Sequence, residues 1–93
     1  MTGICAETAI SFLAGIANHT RAGNYKQAEL QTESLIEVIE AVPRHSEMWE
    51  LYRDALGCLR PIPDQLRRHD HTGALENVRS AVEFLRYAED GIS

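Results

Sequence analysis

The chain has 93 residues, 44% hydrophobic and 25% charged, with a net charge of −5. That length allows one domain around one core, and the composition excludes a wholly disordered or low-complexity chain. Nine Lys and Arg against fourteen Asp and Glu argue against nucleic-acid binding, which draws on a cationic field, and no apolar run reaches the length of a membrane span.

Four helical segments follow from periodicity and punctuation. The first covers about residues 4–22, with Ala6, Ala9, Ile10, Leu13, Ile16 and Ala17 at i, i+3, i+4 spacing; Gly23 and Asn24 end it. The second covers about 25–42, carries Ala28, Leu35, Ile36, Val38, Ile39 and Val42 inward, and stops at Pro43. Ser46 offers an N-cap for the third, with Glu47 and Glu50 in its first turn. Met48, Tyr52, Ala55 and Leu59 form its stripe, which Ile62 and Leu66 continue in phase past Pro61 and Pro63. An interior proline costs up to ~3 kcal/mol, so the expectation is a kink or break near 60–63 with the axis roughly continued. His69 to Gly73 reads as a polar loop, with Thr72 capping a fourth helix over about 73–89 that buries Leu75, Val78, Val82 and Leu85. Ala81, Phe84 and Ala88 widen that face.

Slid by 46 positions, residues 9–42 lie on 55–88 without a gap. Ala9, Leu13, Ile16, Arg21, Ala28, Ser34 and Glu37 meet identical residues, seven in 34 positions. Amphipathic hairpins share such patterning with or without common ancestry. Two similar hairpins (about 4–42 and 47–89) in one domain over 1–93 are too few for an open solenoid. The expected fold is all-α, an antiparallel four-helix bundle. Otherwise the open end of the stack needs a second copy or a partner.

Chemistry is hard to place on this pattern. His69 and His71 point apart on a helix; in an extended loop they share a side, yet nothing fixes Asp70, Cys58 or His45 as further ligands. His19 belongs with the carbonyls closing the first helix. Cys58 lies in apolar surroundings that favour an inert thiol, Cys5 near the terminus. Glu33, Glu37 and Glu40 read as a solvated face, and the glycines form no phosphate loop. No catalytic residue, metal or cofactor is expected.

Aromatic placement is the sharper feature. Met48, Trp49, Leu51, Tyr52, Ala55 and Leu56 cover a wider arc than one stripe, and Phe84 with Tyr87 overfills the fourth helix. A surplus apolar arc points to a partner. Met48, Trp49, Tyr52, Phe84 and Tyr87 are the candidate partner-binding residues, with Trp49 as anchor and Glu47 and Glu50 as polar rim.

Two resemblances bear on this. Gly23-Asn24-Tyr25-x-x-Ala28, then Pro43 and Trp49, resembles part of a tetratricopeptide repeat, although the offset here is 46 and that family repeats at about 34. Ala9-x-x-Phe12-Leu13, Ala22-Gly23-Asn24-Tyr25, Leu51-Tyr52 and Ala74-Leu75…Phe84-Leu85-Arg86 are similar, in order and rough spacing, to flagellin export chaperones. Pro61 and Pro63 depart from that family's long straight helix, and its N-terminal cap segment has no counterpart. The resemblance implies a small cytoplasmic helical bundle that wraps a helical segment of a client. The expected function is therefore non-enzymatic protein binding, as an adaptor or secretion-type chaperone. A homodimeric structural module is the alternative, and neither nucleic acid nor membrane is an expected partner.

Overall fold

The computed structural model of the protein describes residues 6–92, apart from the side chains of Met48, Leu51 and residues 88–92. Five helices follow in chain order: α1 (Ala6–Arg21), α2 (Tyr25–Glu40), α3 (Glu47–Leu59), α4 (Ile62–Arg67) and α5 (His71–Ile92). The described residues hold no strand. α3 and α4 form one rod bent by 20°, so four rods make an all-α bundle. The expected start of the first helix at residue 4, Cys5, and the packing of Leu51 and Ala88 lie outside the described residues.

The helix ends have local causes. Gly23 takes a left-handed φ of 81° after α1, where Asn24 N–H donates to His19 O at 2.8 Å and Gly23 N–H to Thr20 O at 3.2 Å. These bonds close the last turn as a Schellman motif. After α4 the same motif returns on a non-glycine residue: His69 has φ 59°, with Asp70 N–H to Gln65 O at 2.8 Å and His69 N–H to Leu66 O at 3.1 Å. The flanking bonds also correspond, Ala22 N–H to Asn18 O at 3.0 Å with Arg68 N–H to Asp64 O at 3.1 Å. Each bond is matched 46 residues on, so the repeat seen in sequence is a repeat of backbone geometry. The His69 ring stacks on Tyr25 at 5.0 Å between centroids, an aromatic contact that accompanies its unusual φ.

The prolines sit where a helix needs no donor. Pro61 is the N-cap of α4 and Pro63 lies within its first turn, both ahead of the first N–H with an intrahelical acceptor. Gln65 N–H then donates to Pro61 O at 3.0 Å. One expectation is corrected: α5 begins at His71, and its cap is Asp70, not Thr72. Asp70 Oδ1 accepts from Gly73 N–H at 3.1 Å, the geometry of an N-cap carboxylate. The Asp70 carboxylate reaches forward from one position outside the helix, which leaves Thr72 within the first turn. A Cβ on Gly73 would run into that carboxylate and into the Gln65 amide.

The rods pack as a ring. α1 lies against α2 and α5, the α3–α4 rod lies against the same two helices, and successive rods run antiparallel. Leu13, Leu35, Leu59 and Leu85, one from each rod, are fully buried, with Ile16, Ile39, Ile62 and Tyr52 above and below them. Two hydroxyls inside this core are satisfied locally: Thr20 donates to Ile16 O at 2.8 Å and Thr32 to Ala28 O at 2.7 Å. Leu59→Ala should cost about 2–5 kcal/mol of unfolding free energy. Asp70→Ala should cost about 1 kcal/mol by removing the cap, whereas Thr72→Ala should stay within about 0.5 kcal/mol. Guanidinium denaturation followed by circular dichroism measures all three.

Candidate functional site

The structure divides the five sequence-derived binding residues. Tyr52 is 1% exposed and Trp49 9% exposed, both within the core, so neither is a surface anchor in a single chain. The physical reason lies in the ring: α3 has a neighbour on each flank and buries Trp49, Tyr52, Ala55, Leu56 and Leu59 between them. An arc too wide for one contact is the arc that two contacts need. Arg44 closes the remaining side, its guanidinium 4.0 Å from the Trp49 ring centroid. The side chain of Met48 lies outside the described residues. Phe84 and Tyr87 are at the surface, 43% and 80% exposed. With Asp54, Ser80 and Glu83 they border a shallow depression of about 460 Å³ between α3 and α5.

A larger groove, about 660 Å³, runs along the seam between α1 and α5. Its floor is Ile10, Leu13, Ala14 and Ala17 from α1 with Leu75, Val78 and Val82 from α5. Its rim carries Arg21, Arg79 and Arg86 with Glu76 and Glu83. Arg79 approaches Glu83 along its own helix at 3.8 Å, and no ion pair among the described residues crosses this seam. Arg21 and Arg86 have no carboxylate partner among the described residues.

The 46-residue offset relates this seam to the one between α2 and the α3–α4 rod, which is latched. There Arg67 binds Glu29 and also Glu33, the latter at 3.1 Å, and Arg60 binds Glu40 at 3.3 Å. The corresponding positions on α5 are Leu75, Arg79 and Arg86, facing Arg21 and Ala14 of α1. Two glutamates are replaced by arginines, a third by leucine, and one arginine by alanine. The latch becomes an apolar floor with a basic rim.

The remaining candidates assemble no chemistry. The described residues contain no group of three His, Cys, Asp or Glu placed to hold a metal. The Cys58 thiol is half-buried, and burial together with the nearby Asp54 carboxylate raises its pKa above the ordinary cysteine value. Val38, expected to point inward from the second helix, is exposed instead, because it lies off the α2 stripe of Ala28, Thr32, Leu35 and Ile39 that faces the core; sequence reasoning also missed the groove and the exposed Phe12 and Leu30. The spacing Leu75–Arg79–Val82–Arg86, a stripe flanked by cations, is the signal that could have found it. No family of known proteins, no curated protein and no solved structure matches the chain.

Two measurements check these placements. The isolated chain should show blue-shifted Trp49 emission, and Trp49→Ala should cost about 3–5 kcal/mol in stability. Cys58 should be alkylated with its half-maximal rate at a higher pH in the folded chain than in urea. The folded state holds the thiol proton to higher pH than the unfolded state does, so stability falls as pH rises from the unfolded thiol pKa to the folded one. Cys58→Ser removes that component.

Proposed function

We propose that the chain is a non-enzymatic, protein-binding helical module of the cytoplasm that docks an amphipathic helix of another polypeptide, as an adaptor or secretion-type chaperone does. The observation that carries this reading is the unlatched α1/α5 seam, apolar along its floor and crossed by no ion pair among the described residues. A bundle seam that lacks a latch is a place where a further helix can lie. Along α5 the groove runs from Thr72 to Arg86, about 21 Å of helix, which matches an occupant of roughly four turns.

Charge selects the occupant. α1 and α5 are antiparallel, so Arg21 at the end of α1 and Arg86 late in α5 stand at opposite ends of the groove. The fitting helix has one apolar stripe flanked by carboxylates, which these arginines pair with and steer. Tyr87, on the outer side of α5 beside Glu83, extends the contact. Aromatic residues of this kind commonly anchor interfaces. The similarity to flagellin export chaperones in sequence order points the same way, to a helical client.

Photo-crosslinking tests the reading in the cells that make the protein. A benzophenone amino acid replacing Ala14, exposed on the groove floor, should give a discrete adduct with a second polypeptide. The same group replacing Arg53 on α3 should give none, and Arg21→Glu with Arg86→Glu should remove the adduct at position 14. No adduct at position 14, or equal adducts at both sites, would overturn the assignment.

A further inference from the structure

Resting on the reading of the α1/α5 groove as a helix site, we propose that its occupant carries two carboxylates one helical turn apart, at i and i+4, and that Arg21 grips both. The chain already contains this contact once. At the end of α4 the Arg67 guanidinium binds Glu29 and Glu33 of α2 together, the second at 3.1 Å. Those glutamates stand four residues apart, which sets them on one face of their helix. A guanidinium offers five N–H donors in a rigid fork, enough to hold two carboxylates at once. Cation and carboxylate pair together form one recognition unit.

Arg21 is the counterpart of Arg67, 46 residues earlier. Each stands two residues before the left-handed residue of its turn, Gly23 at φ 81° and His69 at φ 59°. The bonds that close the two turns have the same length, 2.8 Å, from Asn24 N–H to His19 O and from Asp70 N–H to Gln65 O. The backbone therefore carries the two arginines alike, and what differs is the neighbour. Where α2 offers Glu29 and Glu33 to Arg67, α5 has Leu75 and Arg79 at the positions facing Arg21. Arg79 approaches Glu83 on its own helix, and no ion pair among the described residues joins Arg21 to Glu76. Arg21 holds the place of a carboxylate-binding arginine without the carboxylates.

A helix lying in the groove becomes a new neighbour of α1, on the side where Arg21 forms the rim. Its apolar stripe meets Leu13, Ala17, Leu75 and Val78, and its carboxylate pair meets Arg21 at one edge. The other cation adds a distance. Arg86 stands where α2 has Glu40, opposite Ala14, and Ala14 lies seven residues from Arg21, about 10 Å along α1. A third carboxylate seven positions from the pair reaches it, the spacing of Glu33 and Glu40. Net charge narrows the place of docking. At −5 the chain repels an acidic helix over most of its surface, which confines such a helix to the rim that carries Arg21, Arg79 and Arg86. The partner is thus an amphipathic helix with a Glu-x-x-x-Glu pair at the edge of its apolar stripe.

A peptide with the sequence of residues 25–42 serves as the probe, since it carries Glu29, Glu33 and Glu40 beside an apolar stripe. Fluorescence anisotropy of the labelled peptide, titrated with the full chain, should show saturable binding with a dissociation constant below about 1 mM. Arg21→Gln in the chain should weaken binding at least ~10-fold with unchanged far-ultraviolet circular dichroism. Glu29→Gln with Glu33→Gln in the peptide should weaken it as much. Both changes together should cost little more than either, because they remove one contact. Arg53→Gln, exposed on α3, should leave the dissociation constant within about twofold. A change of less than about twofold on Arg21→Gln overturns the proposal, since the peptide then sits elsewhere, as in the place of α2. So does a glutamine peptide that binds as tightly as the glutamate one, or no binding up to about 1 mM. The groove itself stands or falls separately, on the crosslinking at position 14.

Discussion

Each rod of this bundle is buried on two flanks, because four rods closing into a ring leave every one of them with two neighbours. In a chain of 93 residues that arrangement is what brings enough apolar surface out of water to hold the fold. It sets the width of every apolar face. It takes Trp49 and Tyr52 inward, calls for small residues such as Ala9, Ala28, Ala55 and Ala74 where rods approach closely, and leaves four seams on the outside.

The seams differ in their charge. The α2 seam with the α3–α4 rod is held by Arg60 and Arg67 against Glu29, Glu33 and Glu40. Most of these side chains are exposed, so each pair is worth little in isolation. Glu29 is the exception, nearly buried beneath Arg67, where the loss of that partner would leave it only the 4.0 Å approach of the exposed Lys26 ammonium. The latch therefore adds register more than stability. It joins the two hairpins on one flank, while the shared apolar core holds α5 against α1 on the other.

Much of this fold was legible in the sequence. The fully buried leucines at 13, 35, 59 and 85 follow from helical spacing alone, and Gly23 marks its turn because glycine takes a positive φ without penalty. The second turn was harder to place. His69 adopts nearly the same φ with a side chain, and Asp70 in place of Thr72 caps the next helix. Both choices depend on contacts the sequence does not order, the ring of Tyr25 and the amide of Gly73. The exposure of the aromatic residues was half legible. Periodicity counts how many apolar residues a helix carries but not how many neighbours it has, so Trp49 and Phe84 looked alike although only one reaches the surface. The groove was hidden for a related reason. Arg21 and Arg86 lie at opposite ends of the chain, and only the closed ring brings their helices together.

The two hairpins share their turns to the level of individual hydrogen bonds, yet they differ where the bundle meets its surroundings. Positions 29, 33 and 40 are glutamates on α2, while 75, 79 and 86 on α5 are leucine, arginine and arginine. The facing residues shift in step, Arg60 and Arg67 on one seam against Ala14 and Arg21 on the other. Had α5 kept the glutamates, Arg21 would have a partner and the groove would be latched like its counterpart. Arginine at 79 instead puts like charge at the position that faces Arg21. Like charge there is unfavourable, and Glu76 and Glu83 on the same rim offset it in part. A repeat that duplicates the fold while reversing charge on one seam thus yields one seam latched by ion pairs and one that, among the described residues, carries none across it.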